Sequence, residues 1–300
     1  HARNQLVLDM TRSDVRDYLM ARFEEILGNT KIEYVKWDMN RSICDMYSHI
    51  YKGEQSGECY HRYILGVYDL LERFVQRFPE ILLEGCSGGG GRFDAGMLYY
   101  SPQIWCSDNT DAMNRLDIQY GTSFFYPISS VGAHVSACPN HQTGRSVPLS
   151  TRADVALAGS FGYELDLRLL SDEEKAQVKE QIKEFHDYYD LTHEGDYYRL
   201  TERDNTSFTA WEFVAKNKER ALVEVVKKDA WGNPLPVHVT IKGLEDNLMY
   251  VCSLNGIKRS GKTWNHAGIT LPKFLRAGES MKFTFMKVEK LGIMVAMEVP

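Results

Sequence analysis

Apolar side chains recur along the first two thirds of the chain with alternating helical and strand-like periods. Val15, Leu19, Phe23 and Ile26 have the spacing of one helix face, which predicts a helix over 13–27. The apolar and aromatic run that begins at Ile32 predicts a buried strand over 32–38. The same patterns predict helices over 58–78, 111–120, 150–158 and 172–189, and strands over 81–84, 103–106, within 124–135 and over 163–167. This alternation is typical of a parallel sheet covered by helices.

Capping and breaking residues mark several helix ends. Thr11 or Ser13 can cap the first helix, and Pro79 closes the second. Ser171, followed three residues later by Glu174, forms a capping-box pattern. These signals support the predicted helix positions independently of the apolar spacing.

The strand count falls short of a closed barrel. Five strands are predicted, with a partial one over 5–9, whereas a (β/α)8 barrel needs eight. We therefore expect the chain to begin in the middle of its architecture.

The pattern changes near residue 197. Runs rich in β-branched and aromatic residues are separated by turn sequences such as Asn255-Gly256, and they lie at 208–213, 220–227, 237–241, 249–254 and 280–288. We predict two domains, an α/β domain over 1–196 and an antiparallel β-sandwich over 197–300.

Composition narrows the class of protein. The 300 residues are 43% hydrophobic with a net charge of −6, which is typical of a globular protein and argues against a nucleic-acid surface. No apolar run approaches the ~20 residues that cross a bilayer. The six cysteines are dispersed without a Cys-x-x-Cys pair, so we expect no zinc site and a reducing, cytoplasmic location.

Polar clusters follow three of the predicted strands: Lys36–Arg41, Glu84–Asp94 and Trp105–Asp111. The carboxyl ends of strands carry the chemistry in barrels and open α/β sheets. Alone, Asp38 is better explained by a salt bridge at the start of a loop than by catalysis. Carboxylates from two strand ends, however, suit glycosidic cleavage, in which one acts as nucleophile or base and the other as acid.

Other candidate sites in the sequence are weaker. The run Gly88–Gly91 lacks the Lys-Ser/Thr of a phosphate loop, so we interpret it as backbone that a ligand approaches closely. Cys86 has no histidine near it in sequence and is better explained as a packed or sugar-facing thiol than as a nucleophile. His134 and His141 lack further ligands at recognisable spacing, so we expect no metal.

Three motifs together resemble the active-site motifs of α-galactosidases of glycoside hydrolase family 36: Lys36–Arg41, Cys86–Asp94 and Ser107–Asp111. Residues 3–9, residues 132–136 and the β-domain extend this resemblance over nearly the whole chain. The resemblance implies the C-terminal part of a (β/α)8 TIM barrel followed by an antiparallel β-sandwich domain. It also implies retaining hydrolysis of terminal α-linked galactose in sugars such as melibiose and raffinose, without a cofactor or metal.

The resemblance also assigns residues. Asp38 matches the nucleophile and Asp108 the general acid/base. Asp111 is a rival for the acid role, but Ala112 after it favours a helix-starting residue. For retention, the two carboxyl groups should lie ~5–5.5 Å apart. The positions that match sugar-binding residues are Arg3, Lys36, Cys86, Ser87 and Gly88.

The chain departs from the family pattern because an N-terminal β-domain and the first barrel strands have no counterpart. We therefore expect a C-terminal fragment of a larger enzyme, homo-oligomeric when complete and poorly active as the fragment alone. Two alternatives stay open: a transglycosidase of the raffinose-synthase type and a non-catalytic carbohydrate-binding protein.

Overall fold

The structure is a computed structural model that describes residues 6–43, 45–230, 232–233, 236–271 and 275–288. The chain forms two compact units, His1–Asp108 and Asn109–Pro300, called here the first and second units. Among the described residues, no helix combines the length and apolar character needed to cross a membrane.

The first unit alternates helices and parallel strands. Its elements are α1 (Ser13–Leu27), β1 (Tyr34–Asp38), α2 (Cys59–Arg77), β2 (Leu82–Cys86), α3 (Ala95–Tyr100) and β3 (Gln103–Trp105). Strand β2 lies between β1 and β3 and runs parallel to both. The predicted α/β alternation is therefore present, and α1 has the predicted bounds. Its N-cap is Arg12 rather than Thr11 or Ser13, because the Thr11 hydroxyl is bonded to Asp9 and Ser13 is already helical.

One face of β1 packs against the helices and the other does not. The ring of Trp37 lies 5.0 Å from that of Phe23 and 5.9 Å from that of Phe74, between centroids. On the other face, Tyr34 is 45% exposed, and Ile32 before the strand is 38% exposed. The prediction of a buried strand is wrong, because only alternate side chains of β1 face the helices.

The second unit begins with short strands between helices. These elements are α4 (Ala112–Thr122), β4 (Val131–Gly132), β5 (Val135–Ser136), α5 (Leu149–Leu157), β6 (Tyr163–Glu164) and α6 (Asp172–Glu194). The strand predicted within 124–135 is reduced to β4 and the start of β5, after a 3₁₀ turn at Ile128–Ser130. The capping box at Ser171 and Glu174 is confirmed, and α6 runs five residues beyond the predicted Tyr189.

The rest of the second unit is antiparallel. It contains β7 (Asp196–Arg199), β8 (Phe208–Val214), β9 (Arg220–Lys227), β10 (His238–Val239), β11 (Met249–Cys252), β12 (Lys258–Ser260), α7 (Gly261–Ala267), β13 (Ile269–Thr270) and β14 (Ser280–Val288). Six strands form one sheet in the order β12-β11-β14-β9-β8-β7. The β10–β13 pair and α7 supply Val239, Ile269 and Trp264 to the core of this sheet, which gives a sandwich-like arrangement. The helix α7 was not predicted, and the domain boundary between 196 and 197 stays a prediction.

Candidate active site

The first unit brings the first two polar clusters to one sheet edge. In the parallel register, Asp38 pairs with Cys86 and Lys36 pairs with Glu84. Glu84 in turn pairs with Gln103 on β3. Residues paired across neighbouring strands point to the same face, so Lys36, Asp38, Glu84 and Cys86 lie on one face of the sheet. Three residues that the sequence singles out therefore lie together.

Asp38 is exposed, and its carboxylate accepts a hydrogen bond from a side-chain amide. The Asn40 side chain donates from Nδ2 to Asp38 Oδ2 over 2.5 Å. The same side chain accepts the Gly88 N–H at its Oδ1 over 2.8 Å. Asn40 thus joins the candidate nucleophile to the glycine-rich loop. Asn40 is not among the predicted site residues, although an Asn two residues after a strand-end Asp is a detectable signal.

Arg92 joins the same two segments through its guanidinium group. Its Nη1 donates to the Met39 carbonyl over 2.7 Å and to Ser87 Oγ over 2.8 Å. Its Nη2 donates to the Arg41 carbonyl over 3.2 Å. The loop after β1 is therefore fixed to the loop after β2 by a planar group with several donors. The contacts of Arg92 with Met39 and Arg41 join residues about fifty positions apart and have no local signature.

Lys36 has an acidic and an aromatic neighbour. Its Nζ lies 3.4 Å from Glu84 Oε1 and 4.7 Å from the centroid of the Trp105 ring. The other carboxylate oxygen of Glu84 accepts a hydrogen bond from the Tyr34 hydroxyl. Glu84 is 1% exposed, whereas the Lys36 side chain is 34% exposed. The Lys36 ammonium group therefore contacts buried Glu84 on one side and is open to solvent on the other.

The Cys86 thiol is poorly suited to be a nucleophile. It is buried at the end of β2. Burial raises its pKa to about 11, and the charge and hydrogen bonding of Asp38 act in the same direction against the opposing effects of the Gly89 N–H and Lys36. The thiol is therefore protonated near neutral pH and available as a hydrogen-bond donor. This agrees with a packed or sugar-facing thiol.

The glycine run makes a close backbone contact within the protein. A Cβ on Gly89 would lie 2.8 Å from both the Asp108 nitrogen and the Ser107 Cα, and one on Gly90 would lie 2.5 Å from the Cys106 carbonyl oxygen. Gly89 also has φ +80°, in the left-handed region. We expected these glycines to admit a ligand. For Gly89 and Gly90 the close neighbour is the segment after β3, because that segment crosses directly over the loop, while Gly88 is exposed.

Asp108 is exposed and follows β3 by three residues. Strands β1 and β3 are separated by β2, so their axes are roughly 10 Å apart. Asp38 and Asp108 therefore have to lean over the end of β2 to approach the spacing of a retaining pair. The glycine-rich loop, which touches the Asp108 backbone and bonds to Asn40, lies at that end.

Asp111 has a structural environment in the second unit. It is the N-cap of α4 and accepts the N–H groups of Met113 and Asn114. Its carboxylate also binds Thr143 Oγ1 at 2.5 Å and Arg145 Nη1 at 2.8 Å. Burial opposes ionisation, but these hydrogen bonds and the Arg145 charge outweigh it and lower the pKa of Asp111. A carboxyl group held in its ionised form is a poor general acid. Asp111 is therefore the helix-starting residue that the sequence predicts.

Arg3 lies outside the described residues. In the second unit, His134 Nδ1 lies 3.3 Å from Glu164 Oε2. Within the described ranges, no group of three or more His, Cys, Asp or Glu residues could hold a metal ion.

Comparison with known proteins identifies the family. Residues 1–195 match the Melibiase family, and residues 208–285 match the glycosyl hydrolase family 36 C-terminal domain. The bifunctional alpha-galactosidase/sucrose kinase AgaSK of Mediterraneibacter gnavus is 52% identical over 97% of this chain and 30% of its own length. Alpha-galactosidase AgaA of Geobacillus stearothermophilus is 47% identical over 90% of this chain and 37% of its own length.

Solved structures give the same result. A crystal structure of a doubly substituted AgaA in complex with raffinose has a TM-score of 0.93 and 45% identity, over 96% of this chain and 40% of that one. The chain thus spans about a third of the length of the curated relatives it matches. These matches confirm the predicted fold class, part of a (β/α)8 barrel followed by an antiparallel sandwich-like domain. The chain belongs to glycoside hydrolase family 36.

Proposed function

We propose that the protein acts as a retaining α-galactosidase on small galactosides of the melibiose and raffinose type. The observation that carries the proposal is the arrangement of three neighbouring strand ends in the first unit. Asp38 is the last residue of β1, and Asp108 follows β3. The glycine-rich loop after β2 contacts Asn40 in the loop after β1 and the backbone of Asp108. Relatives support the substrate class, since AgaA crystal structures are described as complexes with raffinose and stachyose.

In this mechanism Asp38 attacks the anomeric carbon while Asp108 gives its proton to the departing glycosidic oxygen. A galactosyl ester on Asp38 results. Asp108, now a carboxylate, then takes a proton from water, whose oxygen attacks the same carbon and releases Asp38. Two inversions give net retention.

The other assigned positions fit sugar contacts. The Lys36 ammonium, the Cys86 thiol and the Ser87 hydroxyl can donate hydrogen bonds to galactose hydroxyls from the edge that carries Asp38. The exposed backbone of Gly88 lets the sugar approach closely. We include Arg3 from the family resemblance alone. Asn40 is added as the group that orients Asp38.

The finer expectations belong to the same proposal. We propose a cytoplasmic protein, because the five described cysteines are free thiols. We propose galactosides, rather than nucleic acid or a membrane, as its binding partners, and a homo-oligomer for the complete polypeptide. We also propose domains over 1–196 and 197–300. Cell fractionation tests the location, native mass measurement tests the oligomer, and limited proteolysis tests the domain boundary.

The decisive experiment measures hydrolysis of p-nitrophenyl α-galactoside by the complete polypeptide that carries this sequence. We expect Asp38→Gly to lose at least about 1000-fold in kcat and to recover activity with azide, which replaces the missing nucleophile. Asp108→Asn should lose most on substrates with poor leaving groups, because these need the acid most. Asp187→Ala, an exposed position on α6, is the matched control.

The outcomes separate the competing functions. Release of α-galactose as the first product, followed by NMR, supports retention, and β-galactose contradicts it. Predominant transfer to an excess of an acceptor sugar would instead identify a transglycosidase. Equal rates of hydrolysis for wild type and Asp38→Gly would remove Asp38 from the reaction. No hydrolysis by wild type, together with binding of galactosides, would favour a binding protein.

A further inference from the structure

Glu84 is a buried acid that the proposed reaction does not use. It lies in the middle of β2 with its side chain 2% exposed. Placing a carboxylate out of water costs several kcal/mol unless a cation and hydrogen bonds compensate. An apolar side chain would fill the same space at lower cost, so the role of Glu84 has to lie in its contacts.

Those contacts point to Lys36. Glu84 Oε1 has no hydrogen-bond partner, but it lies 3.4 Å from the Lys36 ammonium. Its second oxygen is occupied by the Tyr34 hydroxyl, on the same face of β1 as Lys36. The Tyr34 contact fixes the carboxylate plane, which leaves Oε1 directed to the lysine.

Lys36 needs such a partner because its side chain is long and half-exposed. A free lysine carries about 2 kcal/mol of rotamer entropy, which binding of a ligand would otherwise have to overcome. Glu84 holds the ammonium on one side and the Trp105 ring lies 4.7 Å away on another. An ammonium has three N–H donors, so the contacts with Glu84 and Trp105 leave at least one N–H to donate towards the exposed side.

We propose that Glu84 is a positioning residue that holds the Lys36 ammonium against the Trp105 ring, with its free donors directed at a hydroxyl of the sugar. The role assigned to Lys36 rests on the proposed function, whereas the Glu84–Lys36 pair itself does not. Glu84 acts through Lys36 and does not touch the substrate.

The test is a double-mutant cycle in the complete polypeptide, with Glu84→Gln and Lys36→Met. Glu84→Gln keeps the shape and an acceptor for Tyr34 but removes the charge. We expect kcat/KM for p-nitrophenyl α-galactoside to fall roughly 10- to 100-fold, mainly through KM, since a displacement of about 1 Å can cost that much. In the Lys36→Met background the same change should cost less than about threefold, because the residue it positions is gone. Glu84→Asp, which retains the charge, should recover part of the loss.

Thermal unfolding supplies a readout that does not depend on activity. Lys36→Met leaves a buried, unpaired carboxylate and should lower Tm, and adding Glu84→Gln should recover several degrees of it. Equal losses of kcat/KM in both backgrounds, or a crystal structure of Glu84→Gln with Lys36 unmoved, would overturn the proposal. If wild type does not hydrolyse galactosides, the proposed function fails, while the Tm cycle and the Lys36 position still decide whether Glu84 holds Lys36. If Glu84→Gln does not fold, Tyr34→Phe frees the carboxylate plane instead and should raise KM with a smaller effect.

Discussion

Replacing Asn40 with alanine removes the amide that joins the candidate nucleophile to the glycine-rich loop. Two hydrogen bonds are lost, at 2.5 Å to Asp38 and at 2.8 Å from the Gly88 N–H. A hydrogen bond to a charged group contributes about 1.5–3 kcal/mol. Since ~1.4 kcal/mol corresponds to a factor of ten in rate, we expect kcat/KM to fall roughly 10- to 100-fold.

The assay compares wild type, Asn40→Ala and a control on p-nitrophenyl α-galactoside, with Tm measured for each. Asn29→Ala is the matched control, because the Asn29 amide makes one exposed bond, to the Glu25 carbonyl over 3.0 Å. We expect the control to retain its rate, and Asn40→Ala to lose rate with only a small change in Tm. Activity of Asn40→Ala within twofold of wild type, in a protein that Asp38→Gly inactivates, would refute the idea that this amide orients Asp38.

Three further predictions concern the loop, the thiol and a buried acid. Gly89→Ala places a Cβ 2.8 Å from the Asp108 nitrogen, on a residue whose φ is left-handed. We therefore expect the free energy of unfolding in urea to fall by about 1–3 kcal/mol and kcat to fall as well. Unchanged values would contradict the contact. Cys86 should resist iodoacetamide at pH 8 while the exposed Cys138 reacts. The reason is that a pKa of about 11 leaves roughly 0.1% of Cys86 as thiolate at this pH. Rapid labelling of Cys86, detected by mass spectrometry, would refute this. Burial raises the pKa of Glu212 to about 7, above its unfolded value near 4.3, so protonation favours the folded state. Its contribution to the free energy of unfolding is full below about pH 4 and falls by about 4 kcal/mol as the pH rises through 7. Urea unfolding of Glu212→Gln should lack this fall.

Local sequence signals predicted most of the elements that carry the site. The bounds of α1, β9 and β14 follow from periodicity, and the capping role of Asp111 follows from the residues after it. Parallel strands end at a common edge, so the grouping of Lys36, Asp38 and Cys86 could also be expected.

The sequence did not reveal how that edge is fixed. Asn40–Gly88, Arg92–Met39 and Lys36–Glu84 each join residues about fifty positions apart, and no periodicity encodes such pairs. The strand predicted within 124–135 contains β4 and the first residue of β5, but their bounds could not be predicted because two-residue strands have no alternation to detect. The roles of Asp38, Asp108 and the sugar-binding positions are still proposals.

The contact of Gly89 and Gly90 with the segment after β3 has a consequence for engineering. If Asp38 and Asp108 are the reacting pair, their separation is governed by main-chain atoms in van der Waals contact rather than by replaceable side chains. The stereochemical outcome of hydrolysis then depends on the backbone. Substitutions in the pocket lining would change which sugar binds without converting retention to inversion. A variant with a small residue at Asp38, supplied with a β-galactosyl fluoride, would keep an unchanged Asp108 and could join sugars instead of cleaving them.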